Sequence, residues 1–197
     1  MFNDSGFRYC RFVPHRVVIQ RAEGIGPPSI VGYAARFYIP GEPGTEYVEP
    51  GGVVERIAKG AFNAALRRPD DVRALFNHNP DAILGRTTAG TLKLWADNTG
   101  LGYRVTLPDN ELGRSVAAAV GRGDISGASF SFTPLKHEWT TEGARRIRWV
   151  QDLQLYDISV VTYPAYVGTS ASVQRSAPPE PEPRQFVILR GVRGRPV

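Results

Sequence analysis

Residue types that act together in nucleophilic hydrolysis occur in three separate parts of the sequence. His78 lies in the segment LFNHNPDAILGR, the segment ISGASFSF contains three serines, and Asp157 lies in the apolar segment LYDISVV. A serine becomes a strong nucleophile when a neutral imidazole takes its proton and an acidic group orients that imidazole, and the three can be distant in sequence. The set therefore predicts a hydrolytic site, provided that the fold brings the three segments together.

The alternation of side chains along a strand separates the three serines. If ISGASFSF is a strand, Ser126 shares a face with the two phenylalanines, whereas Ser129 and Ser131 share the opposite face with Gly127. The phenylalanine face is predicted to point into the core. Gly127 has no side chain and leaves space beside Ser129 for a substrate backbone. The pattern therefore favours Ser129 as the nucleophile and makes Ser126 the weakest candidate.

Metal and cofactor sites are not expected from this sequence. No second histidine lies three to five residues from His78, and no HExxH motif occurs. The single cysteine, Cys10, excludes a zinc site built from several thiolates and an internal disulfide, so a reducing cytoplasm is expected. The glycine-rich segments GRGDISG and GEPGTE match neither the dinucleotide nor the P-loop pattern. We therefore expect neither a metal nor a cofactor.

Each of these residues also has a purely structural interpretation. His78 beside asparagine and proline is compatible with a solvated loop, and Ser129 with an ordinary strand position. Asp157 is costly to bury without a partner and could pair with an arginine such as Arg86 or Arg148. Arg86 has two possible roles in turn. It could close the site near a developing oxyanion, or it could form a surface salt bridge.

Composition restricts the class of protein. The chain has 197 residues, of which 42% are hydrophobic, enough for one sizeable core and one domain with or without a tail. Neither a membrane-spanning run nor a signal peptide is recognisable, so secretion and membrane insertion are not expected. The net charge is +5. Basic and acidic residues are interspersed along the chain except in a basic end segment, and that segment contains a single aromatic residue. A basic surface with few aromatic residues argues against a specific nucleic-acid partner.

The pattern of apolar residues predicts a mainly β fold with peripheral helices, an α+β protein built as a barrel or a sandwich. Strands are predicted for SIVGYAARFYI, for a hairpin in TLKLWADNTGLGYRVTL, for ISGASFSF and for LQLYDISVVTY. Helices are predicted for Glu55 to Arg68 and for DNELGRSVAAAVGRG, with Asp109 or Asn110 as the cap of the second.

Three segments are predicted along the chain. Residues 1–26 form an N-terminal arm or a first strand, residues 27–175 form the main domain, and residues 176–197 form a flexible tail rich in proline and arginine. The prolines of APPEPEPR disfavour regular pairing, so the tail cannot repay its ordering entropy by packing. Its apolar island QFVILR is a candidate docking strand flanked by positive charge.

The motifs together resemble those of the prohead proteases of tailed phages, which mature the capsid. The blocks GYAARF, KGAFNAAL, VRALFNHNPDAILGR, GDISGASFSF and LYDISVVTYPAY occur in family order and near-family spacing from Gly32 to Ala171. This family consists of serine peptidases with a herpesvirus-assemblin-like fold. The resemblance therefore implies that residues 27–175 are a serine protease domain with a herpesvirus-protease-like β-barrel.

The resemblance also implies roles for individual residues. The catalytic histidine of the family falls on His78, the nucleophile of its SGxSF block on Ser129, and its acidic third member on Asp157. This sequence departs from the family pattern twice, with Asn79 where an acidic residue is frequent and with aspartate where the third member is frequently glutamate. The shorter aspartate requires its strand to lie closer to the imidazole.

The same resemblance implies substrates and a location. The substrates would be the scaffolding segment of the major capsid protein and the protease itself, with the portal as a further candidate, in the host cytoplasm inside a newly assembled procapsid. The sequence leaves self-association into a homo-oligomer open. A catalytically inactive assembly scaffold of the same fold is the alternative, although such a copy would be expected to lose the set of His78, Ser129 and Asp157.

Overall fold

Eleven strands and two helices are formed by the residues that the computed structural model describes, which are 9–13, 17–20, 27–49, 51–68 and 71–162. In chain order these elements are β1 (Tyr9–Val13), β2 (Val18–Gln20), β3 (Ser29–Arg36), β4 (Glu46–Val48), β5 (Val54–Ile57), α1 (Asn63–Arg67), β6 (Arg73–Phe76), β7 (Asn79–Arg86), β8 (Leu92–Ala96), β9 (Gly100–Thr106), α2 (Glu111–Arg122), β10 (Gly127–Glu142) and β11 (Arg145–Val161).

The strands pair in two sheets. The larger sheet has seven strands in the order β1-β10-β11-β5-β4, with β6 also paired to β11 and β7 paired to β6. The smaller sheet has four strands in the order β2-β3-β9-β8. Strand β11 carries two parallel partners along one side, because β5 pairs with residues 147–150 and β6 pairs with residues 157–160. Its other side pairs with β10 in a long antiparallel hairpin.

The hydrophobic core takes side chains from both sheets. Phe130 and Phe132 of β10 are fully buried and stack with their ring centroids 4.9 Å apart. Leu101 and Tyr103 of β9, in the smaller sheet, are also fully buried and belong to the same cluster. The predicted core face of ISGASFSF is therefore confirmed. Because alternate side chains of a strand point to opposite faces, Ser129 and Ser131 lie on the other face of β10.

The two predicted helices have different outcomes. Helix α2 forms where expected, with the Asn110 side chain accepting a hydrogen bond from the Gly113 N–H at 2.8 Å and with Gly123 in the left-handed region at its end. The helix predicted for Glu55 to Arg68 is wrong in its first part, since Val54–Ile57 is strand β5. All four β5 residues are buried, two of them charged, so the strand shows no alternation of apolar and polar residues.

The mainly β class with few helices is confirmed, whereas closure into a barrel is not observed among the described residues, whose strands form two open sheets. Parts of the predicted N-terminal arm pair as β1 with β10 and β2 with β3. The predicted tail, residues 176–197, lies outside the described residues, and its boundary stays a prediction. None of the helices described is long and apolar enough to span a membrane.

Two glycines of α2 provide a matched test of how the helix packs. A Cβ at Gly113 would lie 2.0 Å from the carbonyl oxygen of Pro108, whereas a Cβ at Gly121 would meet nothing within 4 Å. We expect Gly113→Ala to lower the free energy of unfolding by about 1–3 kcal/mol through overpacking. Gly121→Ala should raise it by about 0.5–1 kcal/mol, because alanine favours the helix. Chemical denaturation measures the free energy of unfolding of both variants. Equal changes in the two variants would contradict the close packing of Gly113 against Pro108.

Candidate active site

His78 belongs to the tight turn that joins β6 to β7. The last residue of β6, Phe76, pairs with the first residue of β7, Asn79, so that only Asn77 and His78 lie between them. Both turn residues have φ of 55°. Positive φ at both central positions defines the type I′ turn, whose twist suits a two-residue hairpin. Asparagine and histidine adopt this region more readily than most other residues, which explains how the sequence supports the turn.

The turn is attached to the end of β11 by hydrogen bonds of Asn77. Its backbone N–H donates to the carbonyl oxygen of Val160 at 3.0 Å. Its side-chain Oδ1 accepts from the backbone N–H of Thr162 at 2.9 Å and from the Thr162 hydroxyl at 3.2 Å. These bonds hold the turn against the end of β11, so the His78 side chain is placed beside the serine-bearing face of β10.

Three side chains form a continuous hydrogen-bonded chain at this point. His78 Nδ1 lies 2.6 Å from Asp157 Oδ1, and His78 Nε2 lies 2.8 Å from Ser129 Oγ. Ser129 is 3% exposed and Asp157 is 7% exposed, whereas 23% of the His78 side chain is exposed. The fold therefore brings together the three residues that the sequence singled out, although 51 and 79 positions separate His78 from the other two.

The chemistry of the groups fixes the direction of these hydrogen bonds. An ionised carboxylate only accepts, so the Nδ1 of a neutral His78 must carry the hydrogen and donate it to Asp157. The remaining ring nitrogen, Nε2, then has a free lone pair that faces the Ser129 hydroxyl. This tautomer can take the serine proton and become an imidazolium that the adjacent carboxylate stabilises. The arrangement is thus capable of activating Ser129 as a nucleophile.

The other two serines are placed differently. Ser126 is exposed and precedes β10. Ser131 is 3% exposed and pairs in register with Asp157 of the neighbouring strand. Of the three serines, Ser129 is the one that hydrogen-bonds to His78. The face that carries it is largely covered, since Ser129 and Gly127 are both buried, rather than open as the glycine suggested.

The two arginines considered as partners of Asp157 bind other carboxylates. Arg148 donates from Nε and Nη2 to Glu55 Oε2 at 2.9 and 2.6 Å. Arg86 donates from Nε and Nη2 to Asp71 at 2.6–2.9 Å, which is the salt-bridge alternative for this residue. The pKa of Asp71 is lowered to about 2, first by these hydrogen bonds from Arg86 and further by the hydrogen bond from Thr88 and the charge of Arg73. Asp157 instead lies 2.6 Å from His78 Nδ1.

The described part of the chain contains no cluster of metal-ligating side chains. No group of three or more His, Cys, Asp or Glu side chains there is placed to hold a metal ion.

Comparison with protein families gives a match over most of the chain. Residues 17–180 match the model of the caudovirus prohead serine proteases. The chain belongs to this prohead serine protease family. The resemblance drawn from the motifs is thereby confirmed. A comparison with curated proteins finds no match.

Among solved structures, the capsid assembly protease of bacteriophage T4 is similar to this chain. The two share 13% sequence identity with a TM-score of 0.45, and the alignment covers 79% of this chain and 99% of the T4 chain.

Two residues of this prohead protease that the sequence patterns did not single out help to position the site. Asn77 holds the turn, and Ser159 hydrogen-bonds to both His78 and Asp157. The tolerance of asparagine for positive φ could have indicated a turn at Asn77. Ser159 follows Asp157 by two positions and so shares its strand face, which was the available signal for a residue beside the carboxylate.

The backbone conformation of the turn can be tested at Asn77. Alanine there should lower the free energy of unfolding by about 1–3 kcal/mol, because it loses the bonds to Thr162 and disfavours positive φ. Glycine also loses those bonds but adopts positive φ freely, so Asn77→Gly should be the less destabilised variant. Urea denaturation of the two variants compares them directly. If Asn77→Gly lowered the free energy of unfolding more than Asn77→Ala did, the preference of Asn77 for positive φ would not be the source of its contribution.

Proposed function

We propose that the protein is a serine endopeptidase that matures the procapsid of a tailed phage, with Ser129, His78 and Asp157 as its catalytic triad. The observation that carries the proposal is the chain of two hydrogen bonds from Asp157 through His78 to Ser129. Family membership supports the reaction class, which is peptide hydrolysis by a serine protease. The family match concerns residues 17–180 as a whole, whereas the hydrogen bonds concern three side chains within that range.

The mechanism follows from the tautomer of His78. As Ser129 Oγ attacks the scissile carbonyl carbon, its proton passes to His78 Nε2, and Asp157 stabilises the resulting imidazolium. The imidazolium then gives the proton to the leaving amine as the peptide C–N bond breaks, which leaves an acyl-enzyme on Ser129. A water molecule, deprotonated by the same nitrogen, hydrolyses this ester and restores the serine hydroxyl.

Arg86 has a supporting place in this proposal. Asp71 forms ion pairs with Arg86 and with Arg73, two residues that pair in register where β6 begins and β7 ends. The His78 turn lies at the other end of the same hairpin. We therefore assign Arg86 to holding the hairpin closed, rather than to contact with a developing oxyanion.

The substrates proposed for this activity are the scaffolding segment of the major capsid protein and the protease itself. The portal protein is a further candidate. Membership of the family of caudovirus prohead serine proteases supports this proposal. We place the activity in the host cell inside the procapsid, where protease and capsid protein are assembled together. The basic tail of residues 176–197 is proposed to assist this packaging.

Replacement of the nucleophile tests the proposal directly. Ser129→Ala should reduce cleavage of the co-expressed capsid precursor about a millionfold, because the attacking oxygen is lost. Ser131→Ala is the matched control, since Ser131 is buried to the same 3% exposure on the same strand. Mass spectrometry of the precursor with each variant is the measurement.

The possible results separate the alternatives. Cleavage by Ser131→Ala but not by Ser129→Ala supports the assignment. Cleavage by Ser129→Ala with an inert Ser131→Ala would show that the wrong serine was chosen. A folded wild-type protein that leaves the precursor intact would favour the inactive assembly scaffold.

The role of Asp157 can be tested with an isosteric change. Asp157→Asn should leave the fold intact but lower turnover by roughly four orders of magnitude, because an amide can donate to Nδ1 and stabilise the wrong tautomer of His78. Turnover per folded molecule and the melting temperature are measured together. A lower melting temperature with near wild-type turnover would mean that Asp157 has a structural role only.

A further inference from the structure

We propose that Ser159 is a positioning residue that fixes the imidazole and the carboxylate of the site relative to each other. This inference rests on the proposed function, because it assigns a role within the same triad. Ser159 is fully buried, and its hydroxyl hydrogen-bonds to the backbone of His78 and to the carboxylate of Asp157. Its effect would be exerted through His78 and Asp157.

The hydroxyl of Ser159 links two parts of the site. It accepts a hydrogen bond from the backbone N–H of His78 at 3.1 Å. It donates its own hydrogen to Asp157 Oδ1, also at 3.1 Å. The same carboxylate oxygen is the partner of His78 Nδ1 at 2.6 Å. Backbone, hydroxyl, carboxylate and imidazole therefore form a closed hydrogen-bonded ring through three residues.

The position of Ser159 on β11 accounts for this geometry. Residues two apart on a strand point to the same face, so Ser159 lies beside Asp157 on the face reached by His78. Ser159 also pairs in register with Ser129 of the adjacent strand β10. The parallel strand β6 brings Leu75 opposite Ser159 and Phe76 opposite Val160, immediately before the turn that contains His78.

A hydroxyl is suited to this position because one atom must both accept and donate. Alanine would remove the hydrogen-bond partner of both Asp157 Oδ1 and the His78 N–H. A buried polar group that loses its partner lowers the free energy of unfolding, and buried polar groups in proteins are normally hydrogen-bonded. The carboxylate would then be free to rotate away from Nδ1. Since a misplacement of about 1 Å in a catalytic group can lower a rate by about a hundredfold, loss of this link should affect turnover.

Removal and restoration of the hydroxyl test the inference. Ser159→Ala should lower kcat by about a hundredfold, with KM changed by less than about twofold, because substrate binding is not involved. Ser159→Thr keeps a hydroxyl at the same carbon and should recover most of the lost kcat. Ser131→Ala serves as the control for truncating a buried serine of the same sheet and should keep wild-type kcat.

A second measurement reports on position without depending on catalysis. In protein labelled with ¹⁵N-histidine, the Nδ1–H proton of His78 should give a low-field NMR signal, assigned by its absence in His78→Gln. Recorded in the Ser129→Ala background, this signal should weaken and exchange faster with water in Ser159→Ala, and return in Ser159→Thr. The Ser131→Ala control should leave it unchanged.

The outcomes are distinguishable. An unchanged Nδ1–H signal and unchanged kcat per folded molecule in Ser159→Ala, even with a lower melting temperature, would overturn the positioning role. Loss of the signal in Ser159→Ala with no cleavage by the wild-type protein would retain the positioning role and reject the proposed function instead. Misfolding of Ser159→Thr alone would leave the decision with Ser159→Ala, whose side chain is smaller than the native one.

Discussion

The parallel pairing of β6 with the second half of β11 is the constraint on which the site depends. Because Asp157 pairs with Arg73 and Val160 with Phe76, the turn that follows β6 lies at the end of β11. From there the ring of His78 reaches the face of the sheet that carries the serine of β10. A slip of one residue in this register would turn the side chains of β6 to the opposite face of the sheet and shift the His78 turn along β11 relative to Asp157. The distances of the site are thus a consequence of strand register.

Buried charges restrict the register of the first half of the same strand. Arg148 of β11 pairs in register with Glu55 of β5, and both side chains are at most 3% exposed. Arg56 is similarly buried and is bound by Glu46 and Glu142. Leaving one member of a buried pair without its partner costs about 3–5 kcal/mol. An alternative register of β5 on β11 would leave such buried charges without their partners. The other end of β11 carries Asp157 of the site.

Sequence patterns predicted the parts of this arrangement that depend on local alternation. The phenylalanine face of β10 identified Ser129, and a carboxylate in an apolar strand identified Asp157 as a residue that needs a partner. The strand at Glu55 was mistaken for a helix because its charges are neutralised by partners far along the chain, 93 positions away in the case of Arg148. Periodicity within a short segment carries no information about such partners. The position of His78 could not be predicted for the same reason. Its turn is formed by neighbouring residues, but the residues of β11 that hold the turn are distant in sequence.

The assembly of the site also bears on when activity arises. The β6–β7 hairpin is local in sequence and presents His78, but Ser129 lies 51 positions away and Asp157 lies 79 positions away. Contacts between residues so distant form only when the loops between them close, which makes them late compared with local hairpins and helices. A chain in which only this hairpin had formed would therefore present the histidine without its two partners. For a protease that is proposed to be packaged together with its substrate, this coupling means that the proposed triad requires β10 and β11 paired with the hairpin and cannot arise from the hairpin alone.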